Sequence, residues 1–145
     1  MASPADVQRV TELLGRAPMG AFEVVVRDAG GDPVVIRNEP LLSDGTPMPP
    51  RYSGVGRVAV RAIGHLESTG GVARAEAEVG LAAIAGAHER YSAERDASVP
   101  AGWQGPRPYG GVGGTRRGVK CLHAHYAYHL AGGDDPVGRW VQEEL

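Results

Sequence analysis

One cysteine, one phenylalanine and two tryptophans stand among 145 residues. A single thiol excludes an internal disulfide and fits a reducing compartment. So few large aromatics leave the core to Val, Leu, Ile and Ala. No apolar run is long enough to span a membrane, and Met1–Arg16 holds no apolar centre of signal-peptide length. These absences point to the cytoplasm. Excess charge of either sign is missing too. A formal net charge of −2 gives no bulk attraction to nucleic acid. Internal repeats, heptads and low-complexity tails are absent, as are CxxC, HExxH and Walker A patterns. Nothing in the sequence calls for a cofactor or defines a metal site.

What is abundant is glycine, 22 residues, together with 11 prolines. That balance predicts short elements joined by many turns. The length suits one domain, residues 1–145, with a real core. Asp6–Leu14 has helical periodicity, with Val7, Val10, Leu13 and Leu14 as its apolar stripe and Gly15 as its stop. Phe22–Asp28 and Pro33–Asn38 are β-branched runs around Ala-Gly-Gly-Asp, which predicts a hairpin. The near-continuous valines suggest burial on both faces. Pro40–Pro50 reads as a loop turning at Asp44-Gly45, and Arg51–Ser53 as a third short strand. Helices are expected over Val55–Ser68, Val72–Asp96, Thr115–Ala131 and Pro136–Glu144. In the second of these, Gly80 and Gly86 suggest close packing on a neighbour. Strands first and helices after give an α+β fold, a small antiparallel sheet covered by three or four helices.

The densest chemistry lies between Tyr109 and Gly133. Four glycines precede Arg116, Arg117 and Lys120, then Cys121, His123, His125 and His129. Backbone N–H groups of a glycine-rich loop, a helix start and basic side chains together make an anion site. Gly113, Gly114, Arg116, Arg117 and Lys120 are its candidate residues, for a phosphate-like or carboxylate ligand. The plainer alternative is a flexible loop followed by solvated basic residues. On a helix over Thr115–Ala131, Val119, Leu122, Tyr126 and Leu130 share the core-facing side. Cys121, His125 and Tyr128 fall opposite. Cys121, His125 and His129, at i, i+4 and i+8, form the best same-side metal set, and the set needs a fourth ligand from elsewhere. Alternatively, Cys121 is a nucleophile, its thiolate favoured by Arg117 and Lys120 and served by a histidine base.

A second cluster, His88, Tyr91 and Arg95, follows the apolar side of the longest helix with Leu81 and Ile84. A histidine there is usually a hydrogen-bonded core residue. If the two long helices pack together, His88 faces His123 across a pocket walled by Tyr91 and Tyr126. The catalytic candidates are therefore Cys121, His123 and His88. Tyr91 and Arg95 join the ligand-binding set.

Several segments together resemble the uncharacterised bacterial family called domain of unknown function 501, common in actinobacteria. They are LGRAPMG (Leu14–Gly20), the valine hairpin, PLLSDGTPMP (Pro40–Pro49), HLESTGGV (His65–Val72), AHERYSAERD (Ala87–Asp96), GGTRRGVKCLHAHYAYHLA (Gly113–Ala131) and GGDDPVGRW (Gly132–Trp140). Family members resemble this chain at Arg16, Asp44, Gly45, His88, Tyr91, Arg95, Lys120, Cys121 and His123. Many carry Arg at the position of His65 and a His near Tyr128, whereas His125 and His129 look particular to a subgroup. That argues against a family-wide Cys121–His125–His129 metal site. The resemblance implies no agreed activity. Family genes commonly lie beside those for septum formation initiator proteins and exopolyphosphatase-like enzymes, which implies housekeeping near cell division or phosphate metabolism. Three expectations result: a cytoplasmic binding or regulatory protein for a small anion, a Cys/His-dependent hydrolase-like enzyme, or a protein-interaction partner in cell division. The last expects an apolar patch around Trp103, Trp140 or Met48.

Overall fold

The computed structural model describes residues 1–145. It is an α+β fold, a three-stranded antiparallel sheet and six helices. Helix α1 spans Pro4–Leu14, two residues more than the periodicity suggests. Ser3 caps it, its Oγ accepting from the Asp6 N–H, and Pro4 supplies a preset first turn. Val10 is buried, but Val7, expected in the same apolar stripe, is exposed.

Strands β1 (Phe22–Arg27) and β2 (Pro33–Asn38) form the expected hairpin. β3 (Tyr52–Gly54) pairs with β2, so β2 is central in the order β1-β2-β3. Burial on both faces is realised mainly in β2, where Val35, Ile36 and Asn38 are buried. The edge strand β1 is only half-buried beyond Phe22, and its register shifts between Val24 and Val26. The Pro40–Pro50 loop turns at Asp44-Gly45, with the Asp44 carboxylate accepting from the Thr46 N–H.

Helix α2 covers Arg57–Ser68. The single long helix expected over Val72–Asp96 is two helices, α3 (Gly71–Val79) and α4 (Leu81–Ala97). Gly80 breaks it, with φ 91° and ψ 141°, a conformation open only to glycine. The break explains why Leu81 is exposed while Ile84, Ala87, His88, Tyr91 and Arg95 form the buried stripe of α4. Gly86 packs against no neighbouring helix; a Cβ there would meet the Arg90 side chain.

The largest correction concerns the next helix. α5 runs Leu122–Leu130, not Thr115–Ala131. Thr115 caps nothing helical; it follows a single 3-10 turn at Val112–Gly114, and extended Cys121 is the residue before α5. The later start changes what the helix buries. His125, Ala127 and Tyr128 are buried along with Leu122, while Tyr126 is only partly so. Helix α6 (Pro136–Glu144) agrees with its expected bounds, and Asp135 caps it.

Three apolar clusters hold these elements together. Ile63, Leu66, Ala75, Ile84, Leu122, Val137, Trp140 and Val141 join helices α2 to α6. Val35, Tyr52, Tyr91, Val112, Ala127 and Tyr128 fix the sheet to α4 and α5. Val10, Phe22, Ile36 and Val55 seat α1 on the sheet. The three tyrosines stack in one group, Tyr91 edge-on to Tyr128 at 5.1 Å between ring centres. The Tyr91 hydroxyl accepts from the backbone N–H groups of Arg51 and Tyr52, at 2.5 and 3.0 Å. It thus holds β3 to α4, and burial pushes its pKa up to about 12.

Candidate functional site

The start of α5 is already filled by the protein's own acids. The Leu122 N–H donates to Glu67 Oε2 at 2.7 Å, and the Val119 N–H donates to Glu76 Oε2 at 3.0 Å. A helix N-terminus attracts negative charge, and here α2 and α3 supply it. Gly113, Gly114, Arg117 and Lys120 therefore do not form an anion cradle at a helix start, because no helix starts among them. Arg117 and Lys120 are exposed side chains.

Nor do the three catalytic candidates assemble. His88 is buried, and both its nitrogens are used: the Val112 N–H donates to Nδ1 at 3.0 Å, and Nε2 donates to the Gly118 carbonyl at 2.8 Å. This pairing specifies a neutral ring. Desolvation by burial accordingly lowers its pKa below 6.5, outweighing the Gly118 bond that opposes the shift. Glycine at 111 makes the contact reachable, since a Cβ there would lie 2.6 Å from His88 Nδ1. His123 turns toward α2, with Nδ1 3.0 Å from Glu67 Oε1 and Nε2 3.1 Å from the Val60 carbonyl. Cys121 is a half-buried free thiol, and each of these imidazoles is committed to another partner. The expected pairing of His88 with His123 is thus replaced. The ring beside His88 is His125, 5.7 Å between centres.

His125 was expected on the outer face and is instead fully buried. Its Nδ1 donates to Asp135 Oδ2 at 2.6 Å, while Asp135 Oδ1 accepts from the N–H groups of Val137 and Gly138. Asp135 is likewise fully buried, and His125 Nε2 has no partner. The histidine–aspartate pair locks α5 to the cap of α6. Asp-Pro at positions 135 and 136 carries the cap signal in the sequence; nothing local tells that a histidine ten residues earlier shares it. His129 bonds Gln142. The metal set Cys121–His125–His129 is thereby dispersed, and no three His, Cys, Asp or Glu side chains converge anywhere in the fold.

An open polar pocket does exist, between α4 and the loop over residues 108–116. Its volume is about 330 Å³, and His88, Glu89, Ser92, Arg95, Asp96 and Arg116 line it. The α4 residues recur at helical spacing, so one face of that helix makes a wall. Arg95 is 1% exposed. Its Nε donates to Asp96 Oδ1 at 3.0 Å and its Nη1 to the carbonyls of Pro49 and Gly110 at 3.2 and 2.9 Å. These bonds leave Nη2 without an acceptor. Across the pocket, Arg116 lies over the Tyr109 ring, 4.1 Å from its centre, a cation–π contact. Of the sequence-derived ligand set, Arg95 and Arg116 reach this pocket. Gly113, Gly114, Arg117, Lys120 and Tyr91 do not line it. The sequence points to His88 and Arg95 on this helix, but not to Glu89, Ser92 or Asp96, nor to the loop that faces them.

A family model described as a protein of unknown function (DUF501) matches residues 24–143. The chain belongs to that family. The matched region contains the sheet from Val24 onward, both walls of the pocket and the His125–Asp135 pair; α1 precedes it. No curated protein and no solved structure matches the chain. No helix is long and apolar enough to cross a membrane. The apolar patch expected for a protein partner does not gather around the tryptophans or Met48: Trp140 is buried, and Trp103 and Met48 are half-buried.

Proposed function

We propose that this protein is a binding module that captures a small phosphate-like or carboxylate group in the pocket between α4 and residues 108–116. The observation that carries the reading is Arg95. The guanidinium lies almost fully inside the protein, yet Nη2 is not among the buried polar atoms left without a partner, so it keeps a solvent-accessible edge where Arg95 lines the pocket. Nη2 has no acceptor in the protein. An anionic oxygen in the pocket would satisfy it. Arg116 adds a second guanidinium whose N–H groups are unused by the protein and whose plane is set by Tyr109. Planar guanidinium forks match carboxylate and phosphate oxygens. The site thus differs from the helix-start cradle suggested by the glycine run; of the cradle's residues only Arg116 lines it, and Arg95 comes from the second cluster.

Thermal unfolding with phosphate, pyrophosphate and acetate tests the proposal. A ligand at one hundred times its Kd stabilises by about 2.7 kcal/mol. At least one of these anions should raise Tm, and Arg116→Ala should remove most of that increase. Absence of stabilisation by all three would retire the reading.

A further inference from the structure

The same pocket carries as much negative as positive charge. Arg95 and Arg116 are set against the carboxylates of Glu89 and Asp96, which rise from α4 at i and i+7. Asp96 gives Oδ1 to Arg95 Nε and keeps Oδ2 unused, and the Glu89 carboxylate pairs with no cation. His88 adds no charge, because both of its nitrogens are taken by backbone groups. Ala85 and Pro108 are the only apolar side chains in the lining, so the space offers nothing to a large hydrophobic substituent.

A bare anion drawn to the arginines would lie beside two carboxylates, of which only Asp96 has a cation partner in the protein. From this arrangement we infer that the ligand is a small zwitterion: a phosphate or carboxylate group with an amine a few bonds away. The anionic end meets Arg95 Nη2 and Arg116. The ammonium end donates to Glu89 and to Asp96 Oδ2. A space of about 330 Å³ suits a molecule of amino-acid size, at the lower end of small-molecule sites. The inference rests on the anion reading given above and narrows it to one class.

Calorimetric titration of the full chain separates the two statements. The probes are β-alanine against propionate, and phosphoethanolamine against ethyl phosphate. In at least one pair the amine should tighten binding by about fivefold, the scale of a partly exposed ion pair. Glu89→Gln should erase that gain, while the amine-free anion's affinity should hold or rise as the carboxylate beside it loses its charge. Glu89 is exposed and unpaired, so the variant should fold as the parent does. If the anions bind but the amine adds nothing, or Glu89→Gln leaves the gain intact, the zwitterion inference is overturned and the anion pocket stands. If no probe binds, both fail together.

Discussion

Two polar regions sit next to each other in this fold and are finished to different degrees. Around His125 and Asp135, every polar side-chain atom except the buried His125 Nε2 is used inside the protein, and both side chains are fully buried. Around Arg95 and Arg116, donors remain unused and face a pocket. His88 stands between them: its ring lies 5.7 Å from His125, and the same side chain lines the pocket. The difference teaches that a density of reactive residue types does not locate a site. The histidine-rich stretch spends its chemistry on joining α5 to α2 and α6. The unspent chemistry is on α4.

The comparison breaks hardest at Asp135. Asp135→Ala removes both the cap of α6 and the partner of His125. A buried pair stripped of one member costs about 3–5 kcal/mol, and urea unfolding should show a loss of that size. A loss below about 1 kcal/mol, the scale of a capping bond alone, would mean the pair is not the brace described. Tyr91→Phe comes next. It leaves the Arg51 and Tyr52 N–H groups without their acceptor, and a buried unsatisfied donor costs about 1–3 kcal/mol. The expected result is a lower unfolding midpoint, with ligand binding in the pocket retained.

The pH response sharpens the contrast further. Burial holds the His88 pKa below 6.5 in the folded state, so as pH falls through about 6.5 the unfolded chain takes up this proton first. His88 therefore contributes stability that is present above that value and lost as pH drops toward its lower folded pKa. Stability measured from pH 8 to pH 5 should fall less steeply in His88→Gln than in the parent. An unchanged slope would show that His88 is not held neutral. The smallest effect belongs to Cys121→Ser. With no histidine partner for this half-buried thiol, the change should move stability by less than about 0.5 kcal/mol and leave anion binding alone. Loss of binding in that variant would return Cys121 to the site.

Much of the architecture was legible because it rests on local rules. The valine hairpin, the Asp44-Gly45 turn, the α6 bounds and the α4 stripe of His88, Tyr91 and Arg95 all follow from periodicity and turn residues. Two boundaries were not. Gly80 looks in the sequence like a packing glycine, but its backbone conformation ends a helix. Thr115 looked like a cap, yet the chain stays irregular for six more residues, and Glu67 and Glu76, remote in sequence, bind the N–H groups of Leu122 and Val119. That delay turned α5 and buried His125. At the site, Arg95 and Arg116 were legible as cations; that they share a pocket depends on how the loop folds back over α4, which no local pattern encodes.

A ¹H–¹⁵N correlation titration with phosphate tests the central claim most directly, because it reads every backbone amide at once. The account predicts saturable shifts at Ser92, Gly110 and Gly111, along the pocket wall and its loop, with Val119 and Leu122 unmoved. Shifts centred on Val119 and Leu122 instead, or none at all, would contradict it.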